Sequence, residues 1–523
     1  MEASFVKVLW SLCLMGFCSL VGYIFNVVWM KPERLRQKLR RQGVTGPPPY
    51  SFLVGNVPEM TKIKTEASKI NQVSDHGDIA AHDYTASLFP YFECWRKQYG
   101  LVYMYSTGRT QHLYVNHPDM VKEIGQVISY DLGKPLNLAN TLSPLLGKGV
   151  LTSNGHLWSH QRKIISAEFF MDKVKGMMGL MVESGVALME KWERRVVDSE
   201  GGIAEIKVDE DLRDFSADVI SRACFGSSYS QGKDIFSKIR VLEKMLSEKG
   251  FLHKGSTFRN LPTKNNRDVW KLEREIKSLI LKTVKEREEK SLGNPSLEKD
   301  LLQMLLEGAK SDKFSTKESN RFIVDNCKNI YFAGHETTAV AAAWCLMLLG
   351  LYPKWQDRVR QEVAQVCRGG SLDADALRKM KMVEMVIQET LRLYPPGAFI
   401  SRETLKDTKL GDLIVPKGIR LWTLIPTLHR DPDIWGSDAN EFNPSRFENG
   451  ISDACKYPQT FVPFGTGPRL CLGRNFALSE LKILLSLMVS KFSFSVSPKY
   501  QHCPKFVMIV EPKYGVDLLI RKI

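Results

Sequence analysis

Between Val8 and Met30 the chain carries 23 consecutive residues without a charge, among them Leu9, Trp10, Leu12, Phe17, Leu20, Val21, Ile24, Phe25, Val27 and Val28. As a helix this run spans about 35 Å, enough for a bilayer core of about 30 Å. A cleaved signal peptide has a shorter apolar stretch that ends in small residues, whereas Trp29 and Met30 close this one. The reading is a transmembrane anchor over residues 8–30. Lys31, Arg34, Arg36, Lys38, Arg40 and Arg41 follow it, against Lys7 in front. Basic residues stay on the cytosolic side, so residues 1–7 are expected in the lumen and the body in the cytosol. Gly46-Pro47-Pro48-Pro49 ends a basic stop and hinge over 31–49, because a proline run joins neither neighbouring helix and holds an extended path. No second linker of this kind follows, and residues 50–523 read as one cytosolic domain.

The charge balance narrows the class of partner. The net charge of +15 comes from 73 basic and 58 acidic side chains, and about a third of the excess lies in the first 41 residues. Elsewhere acids interleave with bases, as with Glu273, Glu275, Glu286, Glu288 and Glu289 within Lys271–Lys290. Such mixed-sign helix surfaces are solvated faces. No basic stripe with interleaved aromatics is present, which excludes a nucleic-acid groove as the working hypothesis.

Helical periodicity runs through Lys173–Val197, Val269–Glu289, Ser319–Leu351, Trp355–Cys367, Met380–Leu393 and Phe476–Val489. Short alternating segments at Leu101–Ser106 and His112–Asn116 read as strands of a small sheet. The expected class is mostly α with a minor β region.

Ten cysteines occur without any C-x-x-C spacing, and most read as small buried hydrophobes in a reducing compartment. Cys471 differs. Residues 464–473 read Phe-Gly-Thr-Gly-Pro-Arg-Leu-Cys-Leu-Gly, a tight loop with a helix starting near Gly473. A helix N-terminus favours thiolate through its free N–H groups and dipole. A dinucleotide fingerprint needs glycine where Leu470 stands, and a redox dithiol needs a nearer partner than Cys455. The pattern Phe464, Gly467, Arg469, Cys471, Gly473 resembles the haem-binding loop of the cytochromes P-450. The resemblance implies a haem-thiolate fold, haem b held by Cys471 as axial iron ligand, and Arg469 on a haem propionate. A thiolate ligand favours O–O cleavage.

Three further segments extend it. Tyr331–Thr338 sets polar residues inside an apolar helix, which is costly without purpose. It is similar to the family's oxygen-binding groove, with Ala333, Gly334, Glu336 and Thr337 in register. The resemblance implies that Gly334 leaves room beside bound dioxygen, and that Thr337 and Glu336 relay protons. His335 occupies a variable position and reads as a non-ligand. Glu389 and Arg392 share a helix face three residues apart; with Arg446 they match the family's buried structural Glu-Arg-Arg cluster. Ser445 stands where the family commonly has glutamate. Trp158 and Arg162, four apart, are assigned by resemblance to the propionates together with Arg402 and Arg469. His156 and His160 lack the glutamate of a zinc-protease helix and read as exposed polar residues.

The landmarks arrive in the family's order from the anchor onward. They imply a monooxygenase that uses O2 and takes electrons from a separate NADPH-cytochrome P-450 reductase, since no flavin or nicotinamide fingerprint is present. Membrane lipid and a lipophilic substrate are the other expected partners, and the endoplasmic reticulum membrane is the expected location. Stretches such as Lys97–Gln126 and Ile425–Asn449 resemble the plant clan that oxidises gibberellins, ent-kaurenoids and some triterpenes. Substrate contacts are expected by family position from 134–148, 227–263, Phe332 and Ala333, and 397–400. Two rival classes are a haem-thiolate isomerase or dehydratase and a non-catalytic haem sensor. The intact Glu336–Thr337 pair and its proton relay argue against both.

Overall fold

The computed structural model describes residues 2–51, 53–73, 82–128, 130–226, 229–248, 261–293, 300–311, 315–367 and 372–523. The mostly helical class and the minor β region are as expected. The helices at Met171–Val197, Thr316–Leu351, Pro353–Val366, Lys381–Leu393 and Arg474–Lys491 fall within three residues of their expected bounds. The helix Lys264–Gly293 runs longer at both ends than its periodic core, because mixed charge can extend a helix without an apolar stripe.

The chain divides into two compact units. The first comprises Met1–Asp75, Thr85–Gly133 and Ile400–Thr423. It begins with the helix Glu2–Phe25, which passes through a π-helical turn at Asn26–Met30 into Lys31–Arg40. Among the described residues two helices are long and apolar enough to cross a bilayer. Val8–Arg40 has none of its apolar window buried by protein, whereas 83 % of the window in Thr316–Leu351 is buried. Only the first needs another apolar solvent, and it suits a single membrane anchor. The unit's five-stranded sheet runs Val102–Thr107, Thr110–Val115, Arg420–Leu424, Phe399–Thr404, Leu132–Gly133. The first two strands form an antiparallel hairpin, where Tyr103 and Tyr114 stack across the pair with centroids 4.5 Å apart. Such cross-strand aromatic pairs fix register.

The second unit comprises His76–Tyr84, Lys134–Phe399 and Leu424–Ile523. Its axis is the central helix Thr316–Leu351. Ser315 and Glu318 form a reciprocal capping box that starts it, and Pro353 follows its end. Small residues at Ala339 and Ala341–Ala343 let neighbours approach, and Trp344–Leu349 are buried without exception. Each such large side chain contributes about 1.5–3 kcal/mol on full burial. Asp209–Phe225 makes its most extensive packing against this helix, and Arg474–Lys491 also lies on it. Strands Ile203–Lys207, Asp517–Lys522 and Phe492–Val496 form a separate antiparallel sheet in that order.

Candidate active site

The loop before Arg474–Lys491 is built by its own backbone. Gly465 and Gly467 take φ of 75° and 69°, which side-chain-bearing residues rarely adopt. The N–H of Cys471 donates to the Phe464 carbonyl at 3.0 Å and that of Leu470 to Gly467 at 2.9 Å. Gly473 sits at φ −85°, where any residue is at ease, so chain conformation alone does not require it. A Cβ there would meet nothing within 4 Å.

Cys471 is surface-accessible, yet burial is the largest influence on its thiol and pushes it up, while the Gly473 N–H, Arg162 and Arg474 pull it down. The sequence points to a thiolate favoured by the helix terminus; in the fold burial outweighs the Gly473 N–H and both arginines, and the thiol is pushed up. Cys224, Cys327 and Cys345 are buried among side chains, with Cys345 pushed up to about 12 by burial.

Trp158, Arg162 and Arg469 come together beside this loop. The Arg469 guanidinium lies 4.1 Å from the Trp158 ring centroid and that of Arg162 at 5.7 Å. Arg469 donates to the Ser153 carbonyl and to Asn154 Oδ1, both at 2.9 Å, and Arg162 donates to the Leu470 carbonyl at 3.0 Å. Two cations are thus held on one indole by protein acceptors, an arrangement that an anionic group would complete. Arg402 belongs to the first unit, where burial lowers it to about 10. His156 is exposed as expected, but His160 is half-buried against Phe322, at 5.7 Å between rings.

On the central helix, every residue from Phe322 to Leu349 is buried except Ala333, Gly334 and Thr337. These three form a notch in an otherwise closed surface. Thr337 Oγ1 donates to the Ala333 carbonyl at 2.6 Å, which leaves its lone pairs free to accept. Gly334 has a second role that its expected one did not include. A Cβ there would lie 2.7 Å from Ile220 Cδ1 and Cγ1, so glycine lets the helix Asp209–Phe225 pack close. The missing side chain serves helix contact, and the open surface at this point is shared with Ala333 and Thr337.

Glu336 turns to the other side. Its Oε2 accepts from Arg213 Nε at 3.0 Å, and its Oε1 lies 3.4 Å from His335 Nδ1. Burial opposes its charged form, His335 and Arg213 favour it, and the balance holds the carboxyl below its usual range. Arg213 also donates to Glu511 at 3.2 Å. Burial, with Glu336 and Glu511 nearby, pushes Glu243 up to about 8. Arg213, Glu243 and Glu511 were not legible from sequence, because each comes from a different segment and no spacing links them.

The Glu389–Arg392–Arg446 cluster is assembled. Arg392 donates to Glu389 at 2.7 and 2.8 Å, with both residues at 0 % exposure. Arg446 Nε lies 3.7 Å from Glu389, and its Nη2 bonds Asp438 at 2.8 Å. Asp438 was the unexpected member.

Glu480, fully buried on Arg474–Lys491, accepts from Ser216 Oγ at 2.8 Å. Burial pushes it from 4.5 up to about 8, with Ser216 opposing. Between those values the folded chain binds a proton that the unfolded chain does not, so this contribution to stability falls as pH rises through the window. Glu480→Gln is therefore expected to leave stability unchanged near about pH 4.5 and to raise it by on the order of 2–4 kcal/mol near about pH 8. Thermal midpoints of the two proteins at both pH values check this. An equal difference at both would remove the titration from the account.

Among the described residues no group of three or more His, Cys, Asp or Glu is placed to hold a bare metal ion. One accessible thiol, open space beside Gly473, and two arginines on an indole fit a metal that brings its own anionic macrocycle. The donor set defines a haem-thiolate protein. Residues 79–520 match the family model for Cytochrome P450, and the chain belongs to that family. It is 51 % identical to Cytochrome P450 714C2 of Oryza sativa subsp. japonica over 98 % of this chain and 97 % of that protein. It is 50 % identical to Cytochrome P450 714A2 of Arabidopsis thaliana, with 98 % of each chain covered. Cytochrome P450 714B3 of Zea mays is 48 % identical over 99 % and 96 %. Membership makes the chain a monooxygenase that uses haem-thiolate iron and O2.

Proposed function

We propose that this chain hydroxylates or epoxidises a rigid polycyclic terpenoid, a gibberellin or ent-kaurenoid acid, at the endoplasmic reticulum membrane. Residues 8–30 span the bilayer, 1–7 are luminal, 31–49 are the basic stop and hinge, and 50–523 are the cytosolic catalytic domain. The observation that carries the reading is the notch of Ala333, Gly334 and Thr337 in the otherwise buried stretch Phe322–Leu349. The substrate class rests on resemblance to the plant clan that oxidises these diterpenoids, and on similarity to plant P450s of the 714 series along nearly the whole chain. Of the family-position contacts, 227–228 and 249–260 lie outside the described residues.

Cys471 would be the ligand to the iron of a bound haem, and that group would supply the activation of dioxygen. Phe464, Gly467 and Gly473 shape its loop. Arg469, Arg162 and Trp158 would hold the propionates, a role that Arg402 has by resemblance alone. Ala333 and Gly334 leave the oxygen side uncovered. Thr337 accepts and passes a proton at Oγ1. Glu336 is held toward its ionised form and must leave Arg213 to receive one, and Glu243, whose carboxyl burial pushes up to about 8, is an acid that interacts electrostatically with it. Electrons come from an NADPH-cytochrome P-450 reductase, to which Arg162 and exposed Arg474 offer positive charge beside the loop.

A pentacyclic triterpene acid is the second substrate reading, since it shares rigidity and charge. Microsomes containing the protein and a reductase should convert gibberellins or ent-kaurenoids. Thr337→Ala should keep haem content but form less product per NADPH and release more peroxide. Turnover of triterpenes with no diterpenoid conversion reverses the ranking. Unchanged coupling in Thr337→Ala removes the proton role of Oγ1.

A further inference from the structure

Where the anchor meets the body of the first unit, a cavity of about 350 Å³ is lined by Trp29, Pro32, Glu33, Arg36, Tyr50 and Gln111, among others. That volume lies at the small end of the usual range for ligand sites, about 300–1,000 Å³. The apolar run contributes Trp29 to its wall, so the cavity opens at the depth of the membrane interface, where tryptophan and tyrosine concentrate. Trp29 is 41 % exposed and Tyr50 76 %.

The polar groups of this cavity are poorly engaged by the protein itself. Arg36 reaches Glu33 Oε2 and Ser106 Oγ at 3.3 Å and Gln111 Oε1 at 3.4 Å, all at the long end of hydrogen bonding. Gln111 is only 3 % exposed, yet its Nε2 has no hydrogen-bond partner. Its orientation is fixed, because turning the amide would set Nε2 against the Arg36 cation.

The cavity therefore presents one cation and one carboxylate, held to each other only at 3.3 Å and flanked by exposed aromatics. The complement is an anion and a cation in one molecule. We propose that this cavity binds the headgroup of a single zwitterionic glycerophospholipid, with the acyl chains along the exposed apolar surface of the anchor. The phosphate takes Arg36. The ammonium takes Glu33 and the faces of Trp29 and Tyr50, the aromatic–carboxylate setting that suits quaternary amines. Glu33 selects against anionic headgroups and free phosphate, which bring no cation to meet it.

The test uses full-length holoprotein in nanodiscs of equal phosphatidylcholine and phosphatidylglycerol, with retained lipid counted by native mass spectrometry. Wild type should retain one phosphatidylcholine. Arg36→Gln and Glu33→Gln should each lower that retention about tenfold or more, the usual worth of a charged hydrogen bond. Lys38→Gln, which removes an exposed charge on the same helix outside the cavity, should not change it. Three results overturn the proposal. One is preferential retention of phosphatidylglycerol, and another is an equal loss in Lys38→Gln. The third is displacement of the lipid by inorganic phosphate, which would make this a small-anion site.

Discussion

Cys471→Ala is expected to yield protein without the reduced carbon-monoxide spectrum of a thiolate haem, and turnover at the level of membranes lacking the enzyme. Neither the buried thiols nor Cys455 can take its place. Cys224, Cys327 and Cys345 are buried among side chains, and burial holds all three thiols protonated. Cys455, the nearest in sequence, is also pushed up by burial and lies outside the loop closed by the Cys471 N–H and the Phe464 carbonyl. A thiolate supplies electron density that no neutral ligand matches. The measurement is the difference spectrum of solubilised Cys471→Ala beside Cys455→Ser. The control should keep the thiolate signature. Its persistence in Cys471→Ala would move the iron elsewhere.

Arg392→Ala should prevent accumulation of folded protein. The guanidinium serves acceptors on several sides: Glu389, and the carbonyls of His429, Ala439 and Glu441 at 2.8, 2.6 and 3.0 Å. Its loss strands Glu389 at 0 % exposure, with Arg446 Nε no nearer than 3.7 Å. Removing one partner of a buried pair costs about 3–5 kcal/mol, against about 5–15 kcal/mol of stability for a whole domain. Three carbonyls lose their donor as well. Arg392→Lys should rescue little, because an ammonium cannot reach acceptors placed around a planar fork. Holoprotein yield and thermal midpoint decide it. Wild-type amounts of either variant would reduce the cluster to an ordinary ion pair.

The legible part of this molecule was local. Uncharged length identified the anchor, and the periodic segments identified the helices, because both are properties of contiguous residues. The Phe464–Gly473 pattern singled out Cys471 from ten cysteines, since a loop built by its own backbone is encoded in its own residues. The i,i+4 relation of Trp158 and Arg162 placed them together, and Arg469 joined them from a segment more than 300 residues away. Resemblance supplied that last step, not spacing.

What the sequence determined alone was therefore an anchored, mostly helical chain with one exceptional thiol and a polar interruption in its most apolar helix. Tertiary structure decided which way each of those polar groups works. Glu336 and Thr337 are adjacent in sequence, but a helix turns neighbours about 100° apart. Thr337 is left in the accessible notch, while Glu336 is directed to Arg213 on another helix. Gly334 packs against Ile220 for the same reason. The acidity of Glu243, Glu480 and Cys471 likewise depends on burial and on charges from distant segments. Desolvation and Coulomb interactions act through space, so the chain's order cannot reveal them.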